Sequence, residues 1–324
     1  MSKSIVIVAG EPYSVFLEIL FKSIKYKRIK KPFVLICSKK LLFAQMKKLN
    51  FNFKIKEVDK HKIKDLRLIK NCINVIDVNF NFKKPFDKIS DNSSKYIENC
   101  FTEGLKLIRN GKAKALINGP VSKKHFLKKK FLGVTEYVAT KSGKKNREVM
   151  LIYNNKLSVS PITTHLPIQD VGKNITTKKI IHNVTTINSF FQHKLNKKPK
   201  FAITGLNPHC ETNKNFSEEE KIIKPAIKKL RKKNINVKGP YAADTLFLKK
   251  NINKFNIVIG MYHDQVLTPI KTLYEFQAIN ITLGLPFLRM TPDHGPNNSM
   301  LGKNKSDPTS LIEAFKFLRK ISEN

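Results

Sequence analysis

The sequence predicts an α/β fold built on mostly parallel sheets with helices on both faces. Short apolar strands alternate along the chain with segments of helical periodicity, the pattern of sheets covered by helices. Three apolar stretches, LSVSPITTH, FAITGLNPH and NIVIGMYHD, run within a few residues into a histidine. Each is typical of a buried strand followed by a short loop. If these strands lie parallel in one sheet, their histidines meet at its carboxyl edge, where open α/β sheets bind ligands.

The individual strands are predicted from apolar runs bounded by turn residues. They are Ser4 to Ala9, Phe33 to Cys37, Ile73 to Val78, Ala113 to Asn118, Glu148 to Tyr153, Leu157 to Ile162, Lys200 to Thr204 and Asn256 to Gly260. Asn154 and Asn155 indicate an antiparallel hairpin within this otherwise parallel pattern. One helix carries its own signals, because Ser217 can cap it, Glu220 can complete a capping box and Pro225 is expected to interrupt it.

Length and composition indicate a globular chain. The 324 residues, 41% of them hydrophobic, can bury a large core, and the length favours about two domains. The apolar runs are too short to span a membrane, and the N-terminus lacks a signal-peptide pattern, so we expect a cytoplasmic protein. The four cysteines, at positions 37, 72, 100 and 210, lack CxxC spacing and are expected to be reduced. Cys210 follows His209, and we interpret it as a small buried residue rather than a further metal ligand.

The formal net charge of +38 is extreme and would ordinarily indicate an anionic partner such as nucleic acid. The lysines, however, are spread over nearly every segment, and no recognised nucleic-acid-binding module is visible. We therefore expect no nucleic-acid partner. A basic nucleic-acid-binding protein is kept only as a distant alternative.

The three histidines at the strand ends are His165, His209 and His263. Three neutral imidazoles with one coordination position left over are typical of a catalytic metal site. Taken singly, a histidine at a strand end is more often a hydrogen-bonded loop residue than a metal ligand. The glycine-rich fingerprints GxGxxG and GxxxxGK[ST] are absent from the sequence, so a nucleotide cofactor would have to be bound in another way.

Seven ordered segments carry a resemblance to a known family. They are NGPVSK (118–123), GVTEYVA (133–139), TTHLPIQDV (163–171), GLNPH (205–209), GPYAADTLF (239–247), MYHDQVLTPIK (261–271) and NITLGLPFLRMTPDHG (280–295). In order and spacing, across nearly the whole chain, they resemble the 4-hydroxythreonine-4-phosphate dehydrogenases of the vitamin B6 pathway.

The resemblance implies a two-domain fold like that of isocitrate and isopropylmalate dehydrogenases, with the active site in the interdomain cleft. Residues 1–127 and 275–324 would form the first α/β domain. Residues 128–274 would form a middle domain that contributes metal ligands and dimer contacts. It also implies a homodimer whose active site is shared between subunits, with NAD and one divalent ion, zinc, magnesium or cobalt, at each site.

Roles for individual residues follow from the same resemblance. His165, His209 and His263 match the family's metal ligands. The other matched positions are Thr135, Lys271, Asn280 and Arg289 for substrate binding and His294 and Gly295 for the cofactor. Lys271, Asp244 and Asp264 are the predicted catalytic residues, the two aspartates by their place within these segments. Lysine and arginine suit a phosphorylated, carboxylate-bearing substrate, although each alone is more often a solvated surface charge. The alternatives are a helix cap for Asp244 and a plain turn for His294 and Gly295.

The implied reaction is the NAD-dependent and metal-dependent oxidation of 4-phosphooxy-L-threonine. Its product, 2-amino-3-oxo-4-phosphooxybutanoate, decarboxylates to 3-amino-2-oxopropyl phosphate in pyridoxal 5'-phosphate biosynthesis. Lys271 is expected to assist proton transfer, and Asp244 and Asp264 are expected to orient ligands.

The chain also departs from the family's pattern. GEPYSVFLE (10–18) stands where the family has G-D-P-A-G-I-G-P-E, so glycines that permit close backbone approach are replaced by larger residues. Val134 stands where the family has a histidine, and CETNK (210–214) replaces a small glycine-rich segment. These changes leave open a sibling activity on another phosphorylated hydroxy acid, 4-phospho-D-threonate or 4-phospho-D-erythronate.

Overall fold

The computed structural model describes residues 4–26, 29, 32–60, 68–128, 130–212, 216–292 and 294–323. The strands are β1 (Ser4–Val8), β2 (Phe33–Cys37), β3 (Ile55–Glu57), β4 (Ile73–Asp77), β5 (Ala113–Asn118), β6 (Val149–Tyr153), β7 (Ser158–Thr163), β8 (Phe201–Thr204), β9 (Val237–Tyr241), β10 (Ile257–Tyr262), β11 (Ile279–Leu283) and β12 (Leu288–Pro292). The helices are α1 (Phe16–Lys25), α2 (Lys39–Lys48), α3 (Ser94–Arg109), α4 (Val134–Lys141), α5 (Val171–Asn174), α6 (Thr177–Leu195), α7 (Lys224–Lys232), α8 (Ala243–Leu246), α9 (Lys249–Ile252), α10 (His263–Tyr274) and α11 (Thr309–Glu323). Over these ranges, every helix is too short or too polar to cross a membrane.

The chain divides into two compact units. The first comprises Met1–Asn146 and Leu285–Leu318, and the second comprises Arg147–Gly284 and Arg319–Asn324. The family resemblance implies domain boundaries after residues 127 and 274. These functional domains stay a prediction, and the two compact units described here are a separate division of the chain.

The first unit contains strands in the order β3-β4-β2-β1-β5-β12, and their pairings are parallel. Its central strands are rich in β-branched residues and buried on both faces, as parallel strands covered by helices must be. Helix α3 packs on β1 and β5. Gly104 permits this contact, since a Cβ there would lie 2.8 Å from Val8 Cγ2.

The second unit contains strands in the order β11-β6-β7-β10-β8-β9. Strand β6 is antiparallel to both β11 and β7, and the pairing of Ile152 with Val159 confirms the predicted hairpin at Asn154 and Asn155. Strands β7, β10 and β8 are parallel neighbours. The strands that precede the three histidines therefore end at the same edge of one sheet, as the sequence predicts.

The predicted strands are present with ends shifted by at most two residues, whereas β3, β9, β11 and β12 were not predicted from the sequence. Strand β3 is short and largely exposed, and β9 contains Pro240, which is tolerated because β9 lies at the edge of its sheet. Strands β11 and β12 include Asn280 and Arg289, which interrupt the apolar pattern.

The predicted capping by Ser217 and the predicted interruption of the helix that leads into α7 are both confirmed. The predicted capping box is wrong for the described residues, because the Glu220 side chain does not accept from the Ser217 N–H. Ser217 Oγ accepts a hydrogen bond from the Glu220 N–H (3.3 Å), while the Glu220 carboxylate forms an ion pair with Lys224. Residues Glu219–Ile223 form a wide π-helical turn, and α7 follows directly. Pro225 explains the change, because it has no N–H to donate to the preceding turn and its ring crowds that turn.

Candidate functional site

The three histidines lie just beyond the carboxyl ends of β7, β8 and β10. His165 follows β7, His209 lies in a 3-10 turn after β8, and His263 begins α10 immediately after β10. Thr163 Oγ1 donates to Met261 O (2.8 Å), which ties the ends of β7 and β10 together. The rings of His165 and His263 are close neighbours, with centroids 5.8 Å apart.

His209 is held in an unusual backbone conformation. Its φ of 56° and ψ of 9° are left-handed, and the φ of Cys210 is 63°. Over the described residues, His, Cys, Asp and Glu side chains form no group of three or more with the arrangement of a metal site. The structure thus brings His165 and His263 together, and the site of three histidines stays a prediction.

The chemistry around His263 fits a metal ligand. Its Nδ1 lies 2.6 Å from Asp264 Oδ1, and because an ionised carboxylate can only accept, Nδ1–H is the donor. The Nε2 atom then carries the lone pair, as a metal-binding imidazole requires. A histidine oriented by a carboxylate is the usual outer arrangement of a metal site. The structure therefore gives Asp264 the contact expected of an orienting carboxylate.

Asp244 and Lys271 are both exposed. Asp244 lies in the first turn of α8, where its Oδ1 accepts a hydrogen bond from the Thr245 N–H (2.8 Å). The N-cap of α8 is Ala242, so Asp244 lies inside the first turn and is not the cap of the alternative interpretation. Lys271 lies on α10, the helix that begins with His263. The catalytic roles of Asp244 and Lys271 stay predictions.

Arg289 is the centre of a polar cluster in the first unit. It lies fully buried on β12, its Nε donates to Asn118 Oδ1 (2.9 Å), and its Nη1 donates to Thr135 Oγ1 (2.8 Å). Burial lowers the pKa of Arg289 to about 10, against the opposing effect of Glu136. The guanidinium is thus charged at neutral pH.

The surroundings of Arg289 suit an anion. Thr135 lies in the first turn of α4, and a helix N-terminus and a buried guanidinium both favour negative charge. Asn118 was not predicted from the sequence as a site residue. The sequence feature that could have identified it is its position in the NGPVSK segment, at the end of β5.

Asn280 offers a free acceptor in the second unit. Its Oδ1 is buried and accepts no hydrogen bond from the described part of the chain. A buried acceptor without a partner costs about 1–3 kcal/mol, so a ligand that donates to it would be favoured. This fits the predicted role of Asn280 in substrate binding.

His294 and Gly295 lie in the loop that follows β12 in the first unit. The Nδ1–H of His294 donates to Gly295 O (2.8 Å). A Cβ at Gly295 would meet no atom within 4 Å, so the backbone there is open to a neighbouring group. Asp293, the residue before His294, lies outside the described residues. The cofactor role of His294 and Gly295 stays a prediction.

The larger residues that distinguish this chain from its family pattern fill the core of the first unit. Tyr13 is buried and packs edge-on against Phe80, with ring centroids 5.8 Å apart. Val15 and Phe16 are also buried, and Val134 packs against the same hydrophobic core. In this unit, the residues that differ from the family pattern therefore contribute side-chain packing to the core. In the segment after His209, residues 213 and 214 lie outside the described residues.

Glu11 is a buried carboxyl group within the N-terminal loop. It is 2% exposed, Ser93 Oγ donates to its Oε2 (3.1 Å), and its Oε1 has no hydrogen-bond partner among the described residues. Burial is the largest effect and raises the pKa of Glu11 from 4.5 to about 7. The sequence showed only an acidic residue after a strand, which gave no signal of burial.

Glu11 should make folding stability depend on pH. Its pKa is higher in the folded chain, so between 4.5 and about 7 the unfolded chain loses the proton first, and stability falls as pH rises. Glu11→Gln should remove this loss, which amounts to at most about 3 kcal/mol. Urea unfolding of wild type and Glu11→Gln at pH 5 and pH 8 measures this loss of stability. The free energy of unfolding of the variant should rise relative to that of wild type between pH 5 and pH 8. A difference between the two proteins that is the same at both pH values would contradict the raised pKa of Glu11.

Comparisons with known proteins agree with the sequence motifs. The family model described as "Pyridoxal phosphate biosynthetic protein PdxA" matches residues 28–318. The 4-hydroxythreonine-4-phosphate dehydrogenase of Sulfurihydrogenibium sp. (strain YO3AOP1) is 40% identical over 316 residues, 95% of each chain. The crystal structure of 4-hydroxythreonine-4-phosphate dehydrogenase from Klebsiella pneumoniae is similar with a TM-score of 0.81 and 25% identity, covering 99% of this chain and 100% of that one.

A more distant structure bears on the fold alone. Isocitrate dehydrogenase from Methylococcus capsulatus is similar with a TM-score of 0.50 and 10% identity, covering 99% of this chain and 86% of that one. The predicted α/β fold of the isocitrate dehydrogenase type is confirmed.

Proposed function

This chain belongs to the pyridoxal phosphate biosynthetic PdxA family, and on that premise we propose that it is a 4-hydroxythreonine-4-phosphate dehydrogenase. The reaction is the NAD-dependent oxidation of 4-phosphooxy-L-threonine to 2-amino-3-oxo-4-phosphooxybutanoate. That product loses carbon dioxide to give 3-amino-2-oxopropyl phosphate, a step in pyridoxal 5'-phosphate biosynthesis. We further propose that the enzyme is a cytoplasmic homodimer whose subunits share the active site.

The observation that carries this proposal is the placement of the three histidines. The neighbouring parallel strands β7, β10 and β8 each lead into one of them, at the sheet edge where α/β enzymes bind ligands. His165, His209 and His263 would hold one divalent ion, zinc, magnesium or cobalt, since imidazole sites accept several such ions.

A bound divalent ion would act as a Lewis acid and favour loss of the proton from the substrate hydroxyl, and the nicotinamide ring of NAD would accept the hydride. The remaining tasks fall to side chains of the chain itself. Oxidation of an alcohol releases one hydride and one proton, so a group is needed to accept or relay that proton. We assign this task to Lys271.

Substrate binding is assigned to the polar groups described above. Arg289, whose guanidinium is held in place by Asn118 and Thr135, is suited to an anionic group of the substrate. The open acceptor Asn280 Oδ1 is suited to a hydroxyl or ammonium donor. His294 and Gly295 are assigned to the adenosine part of NAD.

The proposal is tested by NADH formation with metal-reconstituted protein, using 4-phosphooxy-L-threonine, 4-phospho-D-threonate and a chelator control. We expect metal-dependent turnover of the first substrate. Preference for the second would establish the sibling activity, which Val134 favours because it places an apolar side chain against the core where the family has a histidine. Absence of turnover with both substrates would contradict the proposed reaction.

The same assay tests Lys271. Lys271→Met should lower kcat by about 10²- to 10⁴-fold, the usual contribution of a positioned acid or base. The matched control is Lys250→Met, which removes another exposed lysine of the same unit and should leave turnover unchanged. Full turnover in Lys271→Met would remove Lys271 from the mechanism.

A further inference from the structure

A buried carboxylate underlies the segment that carries His209, residues 205–210, which we call the His209 loop. Glu219 is fully buried, and its Oε1 accepts the N–H groups of Leu206 (2.8 Å) and Asn207 (2.9 Å). Its Oε2 accepts hydrogen bonds from Asn207 Nδ2 (3.0 Å) and Ser217 Oγ (3.1 Å). One side chain thus fixes two successive backbone groups at the start of the loop.

The His209 loop needs such support because its backbone is strained. His209 and Cys210 are consecutive left-handed residues, and neither is glycine. Such conformations persist only where the surrounding structure over-determines them. Gly205 shows how tightly the loop closes, since a Cβ there would lie 2.7 Å from Cys210 Sγ and 3.1 Å from Glu219 Oε1.

A second side chain connects the His209 loop to the end of β10. Gln265 Oε1 accepts hydrogen bonds from the Met261 N–H (2.7 Å) and from Thr204 Oγ1 (2.8 Å). Its Nε2 donates to Gly205 O (2.8 Å). Gln265 lies two residues after His263 in the first turn of α10, so it joins the backbone that precedes His263 to the backbone that leads to His209.

We propose that Glu219 and Gln265 are positioning residues that hold His209 and His263 in the arrangement needed to bind a divalent metal ion. This inference rests on the proposed function, which supplies the ligand role of the histidines. The buried and hydrogen-bonded carboxylate of Glu219 thus supports a loop in which neither left-handed residue is glycine.

The test is the zinc affinity of metal-stripped protein. Glu219→Ala should weaken zinc binding about 10- to 100-fold, as loss of a group that orients metal ligands usually does. Glu219→Gln keeps an oxygen for the two N–H groups and should stay within a few-fold of wild type. Glu220→Gln is the matched control, because Glu220 is the neighbouring residue but is exposed and paired with Lys224. It should bind zinc as wild type does.

A readout independent of metal is alkylation of Cys210, followed by peptide mass spectrometry of the metal-free proteins. Cys210 packs against Gly205, so release of the His209 loop in Glu219→Ala should accelerate its reaction. If Glu219→Ala fails to fold, Gln265→Leu, of similar size, carries the test and should weaken zinc binding. Unchanged zinc affinity in a folded Glu219→Ala or Gln265→Leu variant would overturn the positioning role and leave the proposed metal site standing. Absence of zinc binding in wild type would overturn the proposed metal site and this inference with it.

Discussion

Replacing His263 by alanine should lower metal-dependent kcat/KM by more than about 10³-fold, because the Lewis acid contributes several kcal/mol of transition-state stabilisation. Folding stability should change little, since His263 is partly exposed at the start of α10 and pairs with the exposed Asp264. Zinc titration, steady-state kinetics and urea unfolding of the same preparations separate the two effects.

Two further variants serve as a control and as a graded change for His263→Ala. His193→Ala removes an exposed imidazole in the last turn of α6 and should bind zinc and turn over as wild type does. Asp264→Asn keeps the ligand but replaces the carboxylate acceptor of His263, and it should weaken zinc binding by about 10- to 100-fold. Full metal-dependent turnover in His263→Ala would show that the three histidines are not the ligand set.

The sequence predicted the position of the histidines because buried parallel strands have a strong local signal. Apolar runs such as NIVIG mark a strand without reference to any other part of the chain, and parallel packing then puts the ends of such strands at one edge. The backbone of His209 could not be predicted in the same way. It depends on Glu219 and Gly205, whose roles emerge only when the chain is folded around them.

Polar residues inside strands limited the prediction of the fold. Strands β11 and β12 were missed because Asn280 and Arg289 break the apolar pattern that identifies a buried strand. From composition alone Arg289 is typical of a solvated surface charge, and only the family resemblance selected it. In the structure it is fully buried, and Asn118 and Thr135 accept its hydrogen bonds. Hydrophobic periodicity therefore fails to identify strands that contain buried polar residues. The same buried polar residues are the candidates for binding a substrate.

Arg289→Met should lower kcat/KM for the phosphorylated substrate by about 10²-fold or more. A hydrogen bond to a charged group contributes about 1.5–3 kcal/mol, and a buried guanidinium is held in place before the substrate arrives. Methionine is a long unbranched side chain, and the substitution removes the charge and every N–H donor of the guanidinium. Most of the effect should appear in KM, because the interaction is made with an anion that is present before and during the reaction.

Graded variants distinguish charge from geometry at this position. Arg289→Lys keeps the charge but not the planar fork that reaches Asn118 and Thr135 together, so its kcat/KM should lie between those of wild type and Arg289→Met. Thr135→Val removes only a neutral acceptor and should have the smallest effect. Urea unfolding of each variant shows whether an intact fold accompanies the loss. If Arg289→Met retains wild-type kcat/KM, the buried guanidinium does not bind substrate, and its burial must be explained by Asn118, Thr135 and Glu136 alone.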